Sequence, residues 1–197
     1  MRHKIKEFLT LEERDNLLKQ PNHRTTAGIR DYCILALMMF TGLRRQEICD
    51  LNRSSLKPTG KKLNLYIYGK GKKWRKIPIR NLDLLYSLER YFKRIKTISD
   101  PEAPMFFKVK KRGSEKYDPI TPATIRFIVD KYTKMAGIQK RITPHSLRHT
   151  FITLALQAGA DLATVKSLAG HENVQTTSGY LHTTEELMEK AVERLSL

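Results

Sequence analysis

The chain has 197 residues, enough to bury the core of one domain with small additions. Its 37 lysines and arginines outnumber 20 acidic residues, giving a formal charge of +17 and a pI near 10.0; such a field attracts a polyanion, although a ribosomal or merely basic protein shares it. No apolar run reaches the roughly 18 residues of a membrane span, no apolar signal core follows Met1-Arg2-His3-Lys4-Ile5-Lys6, and Cys33 and Cys49 lie in apolar helical patterns that suit reduced core thiols of a cytosolic protein, not a metal site.

Thr10-Leu11-Glu12-Glu13 has the form of a capping box and predicts a helix to about Lys19, with Pro21 beyond it. A second helix, capped by Thr25 or Thr26, carries Ile29, Tyr32, Cys33, Ala36, Leu37 and Phe40 at helical spacing and ends or bends at Gly42. Arg44-Arg45-Gln46-Glu47-Ile48 begins a short helix with Ile48 and Leu51 inward. On its own, Arg44 reads equally as a surface cation or a functional one. Leu63-Asn64-Leu65-Tyr66-Ile67-Tyr68 alternates in β fashion, and Trp74-Arg75-Lys76-Ile77-Pro78-Ile79 follows. The glycines of Gly69-Lys70-Gly71-Lys72-Lys73 predict a hairpin turn between them, and Pro78 marks an edge strand.

Leu82, Leu84, Leu85, Leu88, Tyr91, Phe92 and Ile95 trace an amphipathic helix of structural character. Residues 99–119 are irregular and basic, with Lys108, Lys110, Lys111 and Arg112; residues 108–118 read as a DNA-facing or mobile loop. Thr121-Pro122 starts another helix, with Ile125, Ile128, Val129, Tyr132 and Met135 inward and Gly137 as its stop. Its Arg126, Lys131 and Lys134 either touch phosphate or solubilise the surface.

Thr143-Pro144-His145-Ser146-Leu147-Arg148-His149 is a helix start, with Thr143 suited to the N-cap and Pro144 to the first helical position. His145 and Arg148 are three residues apart and share a face, near the helix end whose N–H groups favour an anion. His149 is adjacent to Arg148 and points elsewhere. That helix runs through Phe151, Ile152 and Leu156 to Gly159, and a short helix over Asp161–Leu168 is closed by Gly170, leaving His171 just past its end. Thr176 or Thr177 caps a helix carrying Tyr180, and Glu185–Leu197 is amphipathic. A His, an Arg, a second His and a Tyr directed at one phosphate describe phosphoryl transfer to a tyrosine. Neither a P-loop pattern nor an acidic cluster for two metals is present.

The order His145-Ser146-Leu147-Arg148, then Gly170-His171, then Tyr180 resembles the tyrosine recombinases, the phage-integrase family. Thr41-Gly42-Leu43-Arg44 with Glu47 resembles the family's first arginine box, Gly69-Lys70-Gly71 its lysine-bearing turn, and Phe106-Phe107 its short buried strand. The boxes stand in the family's order from residue 41 to residue 182. The resemblance implies a mainly α fold with a small antiparallel β-sheet, an α+β catalytic domain over residues 10–184, preceded by a linker remnant over 1–9. It also implies a C-terminal helix over 185–197, which either folds back or docks on a neighbouring protomer. Most members carry a further helical DNA-binding domain ahead of the catalytic one; the few residues before the first helix imply a fragment or a natural minimal enzyme.

The same resemblance implies the chemistry. Tyr180 attacks a DNA phosphate and displaces the 5′ hydroxyl, leaving a 3′-phosphotyrosyl link, without metal, ATP or other cofactor. Arg44 and Arg148 stabilise charge on the non-bridging oxygens, Lys70 protonates the leaving oxygen, His145 assists proton transfer at the nucleophile and His171 hydrogen-bonds the phosphate. Glu47 braces Arg44, and His182 is accessory. Arg45, Lys72, Lys73, Arg75, Lys76, Lys110, Lys111 and Arg112 read as contacts to the DNA backbone. The implied partner is double-stranded DNA at the cytoplasmic nucleoid, bound as a tetramer by a chain that is monomeric when free, with no membrane. The rivals are a type IB topoisomerase, which uses a similar residue set, and a non-enzymatic basic DNA-binding module.

Overall fold

Thr10 sets the entry to the domain. In the computed structural model, which describes residues 7–59, 62–68, 74–95, 100–108 and 118–170, its hydroxyl accepts from the Glu13 N–H, and Glu13 accepts in return from the Thr10 N–H. This capping box opens α1 (Leu11–Lys19). Thr25 caps α2 (Thr26–Thr41), which is apolar throughout Tyr32–Phe40 and buried from Gly28 to Met39, its Arg30 and Asp31 paired with each other. A helix apolar on every side belongs at the centre of the core. Accordingly, α2 is packed by α1 and by α3 (Arg45–Asp50), α4 (Leu82–Arg94), α5 (Pro122–Met135) and α6 (Pro144–Gln157). Burial pushes the thiol of Cys33 on α2 far above its ordinary range, so it is an inert core group.

Gly42 stops α2 in the left-handed region, at φ 66, which a side chain would resist. The chain turns there into α3. A 3-10 turn over Arg53–Ser55 follows, and then a three-stranded antiparallel sheet in the order β1 (Leu56–Thr59), β2 (Lys62–Tyr68), β3 (Trp74–Ile79). The alternating pattern correctly locates β2 and β3, with Leu65 opposite Ile77, and places Pro78 on an edge. It misses β1, a four-residue edge strand of which only Leu56 is partly buried, which leaves no alternation to read. Phe106 and Phe107 are both buried, and among the described residues the short buried strand that the resemblance suggests is reduced to a bridge between Phe107 and Pro119.

The Thr121-Pro122 and Thr143-Pro144 starts of α5 and α6 are as predicted, each with a threonine N-cap and proline in the first turn. A short α7 (Leu162–Ala169) packs on α6 through its own cluster of Ile152, Leu156, Val165 and Ala169. That seat carries Gly170 to the sheet side of the domain, where α7 also meets β3. No helix among the described residues is long and apolar enough to cross a membrane. Of the predicted loop at 108–118 only the ends are described, where the Lys108 N–H donates to the Asp118 carbonyl at 2.7 Å; residues 109–117 and the predicted helices beyond Gly170 lie outside the described residues.

Candidate active site

Arg44 is the N-cap of α3, in extended backbone directly after the Gly42 turn. Glu47, three residues on, reaches back to it: Oε2 accepts from the Arg44 N–H at 2.7 Å and Oε1 from Arg44 Nη1 at 2.9 Å. One acid therefore holds both ends of Arg44. The same carboxylate receives a second guanidinium. Arg75 of β3 donates Nη1 to Oε1 at 2.8 Å and Nη2 to Oε2 at 2.7 Å, a forked pair. Glu47 is only 7% exposed. Burial alone raises its carboxyl pKa, but the hydrogen bonds from Arg75 and from the Arg44 backbone and side chain outweigh that and hold the acid below its ordinary value.

The free arm of Arg44 points at the end of α7. Its Nη2 donates to the Gly170 carbonyl at 2.6 Å, joining segments 126 residues apart. Gly170 lies so close to this pair that an added Cβ would stand 2.7 Å from Arg75 Nη1.

Arg148 sits in the second turn of α6 and is 4% exposed. Its Nη1 donates to the Gly42 carbonyl at 2.5 Å. The turn that aims Arg44 is thus also the acceptor that fixes Arg148. His145, in the first turn of α6, is exposed. It lines one cleft of about 490 Å³ with Arg44, Arg45, Arg126 and Arg148, beside the α6 N-terminus at Thr143 and Pro144. Several fixed guanidiniums, an imidazole and a helix N-terminus form a concavity suited to a phosphodiester. Among the described residues, no three His, Cys, Asp or Glu side chains gather as metal ligands.

Of the sequence candidates, Arg44, Glu47, His145, Arg148 and Arg45 meet at this place. Lys76 is exposed on β3, away from the lining of the cleft. His149 is buried and packs edge-on against Phe8, with ring centroids 5.6 Å apart. Lys70, Lys72, Lys73, Lys110, Lys111, Arg112, His171, Tyr180 and His182 lie outside the described residues. Arg75 differs from its expectation as an outward backbone contact: its side chain is 14% exposed and turned onto Glu47. A signal for this existed, since Arg75 has the parity of Ile77 and Ile79, the buried residues of β3. From sequence, Arg126 suits either phosphate or solvent. In the structure it lines the cleft, its Nε on Asp130 of the next helical turn at 2.7 Å.

The domain is mainly helical with a small antiparallel sheet, and Arg44 and Arg148 line one cleft beside the N-terminus of α6. The chain belongs to the phage integrase family, which it matches over residues 7–186. It is similar to a tyrosine recombinase of Pseudothermotoga lettingae, at 39% identity over 99% of this chain and 63% of that protein. It is also similar to the tyrosine recombinase XerC of Myxococcus xanthus, at 31% identity over 96% of this chain and 62% of that one. Among solved structures, the XerA recombinase superposes with a TM-score of 0.74 at 25% identity, covering 97% of this chain and 65% of its own. The XerH site-specific recombinase, in a post-cleavage complex with its palindromic difH substrate, superposes at 0.79 and 22% identity, over 98% and 54% of the two chains; that likeness is one of fold. The chain spans less than two thirds of the length of these relatives.

Proposed function

We propose that this chain cleaves and rejoins double-stranded DNA as the catalytic part of a site-specific recombinase. The observation that carries the reading is the convergence of Arg44 and Arg148, one donating to Gly170 and the other to Gly42, on the cleft that His145 lines. Two such cations bind the two non-bridging oxygens of one phosphate and stabilise the charge that builds there during in-line displacement. Tyr180 Oη attacks phosphorus and the bond to the 5′ oxygen breaks. The tyrosyl proton leaves with help from His145, Lys70 gives a proton to the departing oxygen, and His171 hydrogen-bonds the phosphate. The resulting phosphotyrosyl ester keeps the bond energy, so the 5′ hydroxyl of a partner strand reverses the step without ATP.

The proposal extends to the assembly. The chain works on DNA at the nucleoid as a tetramer of protomers that are monomeric when free, and residues 185–197 dock on a neighbour. Arg45 and the basic residues 72, 73, 76 and 110–112 meet the DNA backbone.

The test is cleavage of a nicked suicide duplex bearing a candidate site, with Arg44→Ala and Arg148→Ala beside the parent chain. Each substitution lowers the cleavage rate by at least about 100-fold while duplex binding survives. Undiminished cleavage in either variant contradicts the proposal.

A further inference from the structure

We infer that Arg75 is a positioning residue of this site, acting through Glu47 to hold the Arg44 guanidinium and the Gly170 turn in place. The inference rests on the recombinase reading above and deepens it. Its first support is direction. Trp74 and Lys76, the neighbours of Arg75 on β3, are exposed, whereas Arg75 is turned inward with Ile77 and Ile79. A guanidinium removed from water is costly unless paired, and Arg75 is paired in the forked geometry a carboxylate accepts best.

Its second support is how the hydrogen bonds of Glu47 are shared. Oε1 serves Arg44 Nη1 and Arg75 Nη1, while Oε2 serves the Arg44 N–H and Arg75 Nη2. Without Arg75 the carboxylate keeps contacts on Arg44 alone, and nothing across the cluster fixes its plane. The charge also matters. Arg44, Arg75 and Glu47 together carry one net positive charge. Arg44 and Glu47 alone carry none, so Arg75 is the counterion that leaves Arg44 available to an anion. Third, the Arg75 guanidinium is packed against Gly170, whose carbonyl receives Arg44 Nη2. Arg75 therefore touches both supports of Arg44, the acid on α3 and the turn after α7.

The rival is a direct contact to DNA phosphate, and the two differ in what a substitution changes. The experiment compares the parent chain, Arg75→Met, Arg75→Lys, Glu47→Gln and Glu47→Gln/Arg75→Met. Read-outs are single-turnover cleavage of a suicide duplex at saturating protein, duplex affinity across a salt series, and thermal melting. Arg75→Met is expected to cleave about 10- to 100-fold more slowly, with the salt slope of binding unchanged. Arg75→Lys is expected to fall between, because it keeps the charge and loses the fork. In the Glu47→Gln background, Arg75→Met is expected to add less than about threefold, since residues acting as one unit are not additive.

The inference is overturned if the salt slope drops by about one phosphate contact while the rate at saturation holds. It is also overturned if Arg75→Met costs as much with Glu47→Gln as without it. Should Arg75→Met melt out, Arg75→Lys decides: a native melt with a slowed rate supports the inference, and a native melt with the parent rate overturns it. A parent chain that binds the duplex and never cleaves it removes the recombinase reading and this inference together, whereas a cleaving parent matched by Arg75→Met removes the inference alone.

Discussion

Arg148 donates from Nη1 to the carbonyl of Gly42, so the second arginine of the cleft is anchored on the turn that aims the first. Arg44 follows that turn by two residues, and their geometry cannot change independently. Gly42 is held at φ 66, and a Cβ there would lie 2.4 Å from the Phe151 ring on α6. Gly42→Ala thus meets two penalties, about 1–2 kcal/mol for the left-handed backbone and about 1–3 kcal/mol for overpacking. Gly159 is a control: its φ is also positive, at 89, but nothing lies within 4 Å of an added Cβ. Denaturant melts should show Gly42→Ala as the more destabilised variant, and cleavage should fall only in it. Equal melts would mean that the Phe151 contact yields without cost.

Glu47 should matter to stability as well as to catalysis. Glu47→Gln removes the anion between two guanidiniums, one of them 14% exposed, at a cost on the order of 3 kcal/mol. Urea midpoints at neutral pH measure this loss, and a variant as stable as the parent would refute it.

The same acid sets a pH dependence. Its folded pKa is lowered from the ordinary 4.5. The unfolded chain therefore takes up the proton first, and the stabilisation is complete above that value. It disappears as pH falls through the lowered folded pKa. The stability gap between the parent and Glu47→Gln should be constant from neutrality down to about pH 5 and close progressively below 4.5. A gap that ignores pH would show that the carboxylate charge is not what holds the arginines.

Much of this was legible in the sequence, and the reasons are local. Thr10, Thr25, Thr121 and Thr143 announce helices because an N-cap hydroxyl acts within three residues. His145 and Arg148 share a helix face by their spacing of three, whereas Arg44 stands out only through the resemblance of Thr41-Gly42-Leu43-Arg44 to a family box. What escaped depends on distance in the chain or on weak patterning. β1 is too short to alternate. Gly170 as an acceptor for Arg44 is a backbone carbonyl 126 residues away, which no side-chain pattern marks. Arg75 resembles its basic neighbours in charge, and only its parity with Ile77 and Ile79 sets it apart.

Thr150 offers a test of the fold apart from the cleft. Fully buried on α6, its hydroxyl donates to the Ser146 carbonyl and accepts from the Leu9 N–H, each at 2.9 Å. Thr150→Val keeps the shape and strands that N–H, so stability should fall by about 1–3 kcal/mol. An unchanged denaturation midpoint would mean that the segment before α1 is not tied down there.

Binding to DNA should depend steeply on salt, because backbone contacts from a +17 chain release counterions. Arg45 is exposed at the cleft rim. Arg45→Ala should reduce the slope of log K against log salt by about 0.9. Binding that ignores salt would argue against phosphate as the ligand.

The most direct test of the central claim is a denaturing gel of the chain incubated with a nicked suicide duplex, run beside Tyr180→Phe. The account predicts a covalent protein–DNA band from the parent chain that is lost in Tyr180→Phe, with the DNA joined through a 3′ phosphate. A covalent band that persists in Tyr180→Phe would contradict it.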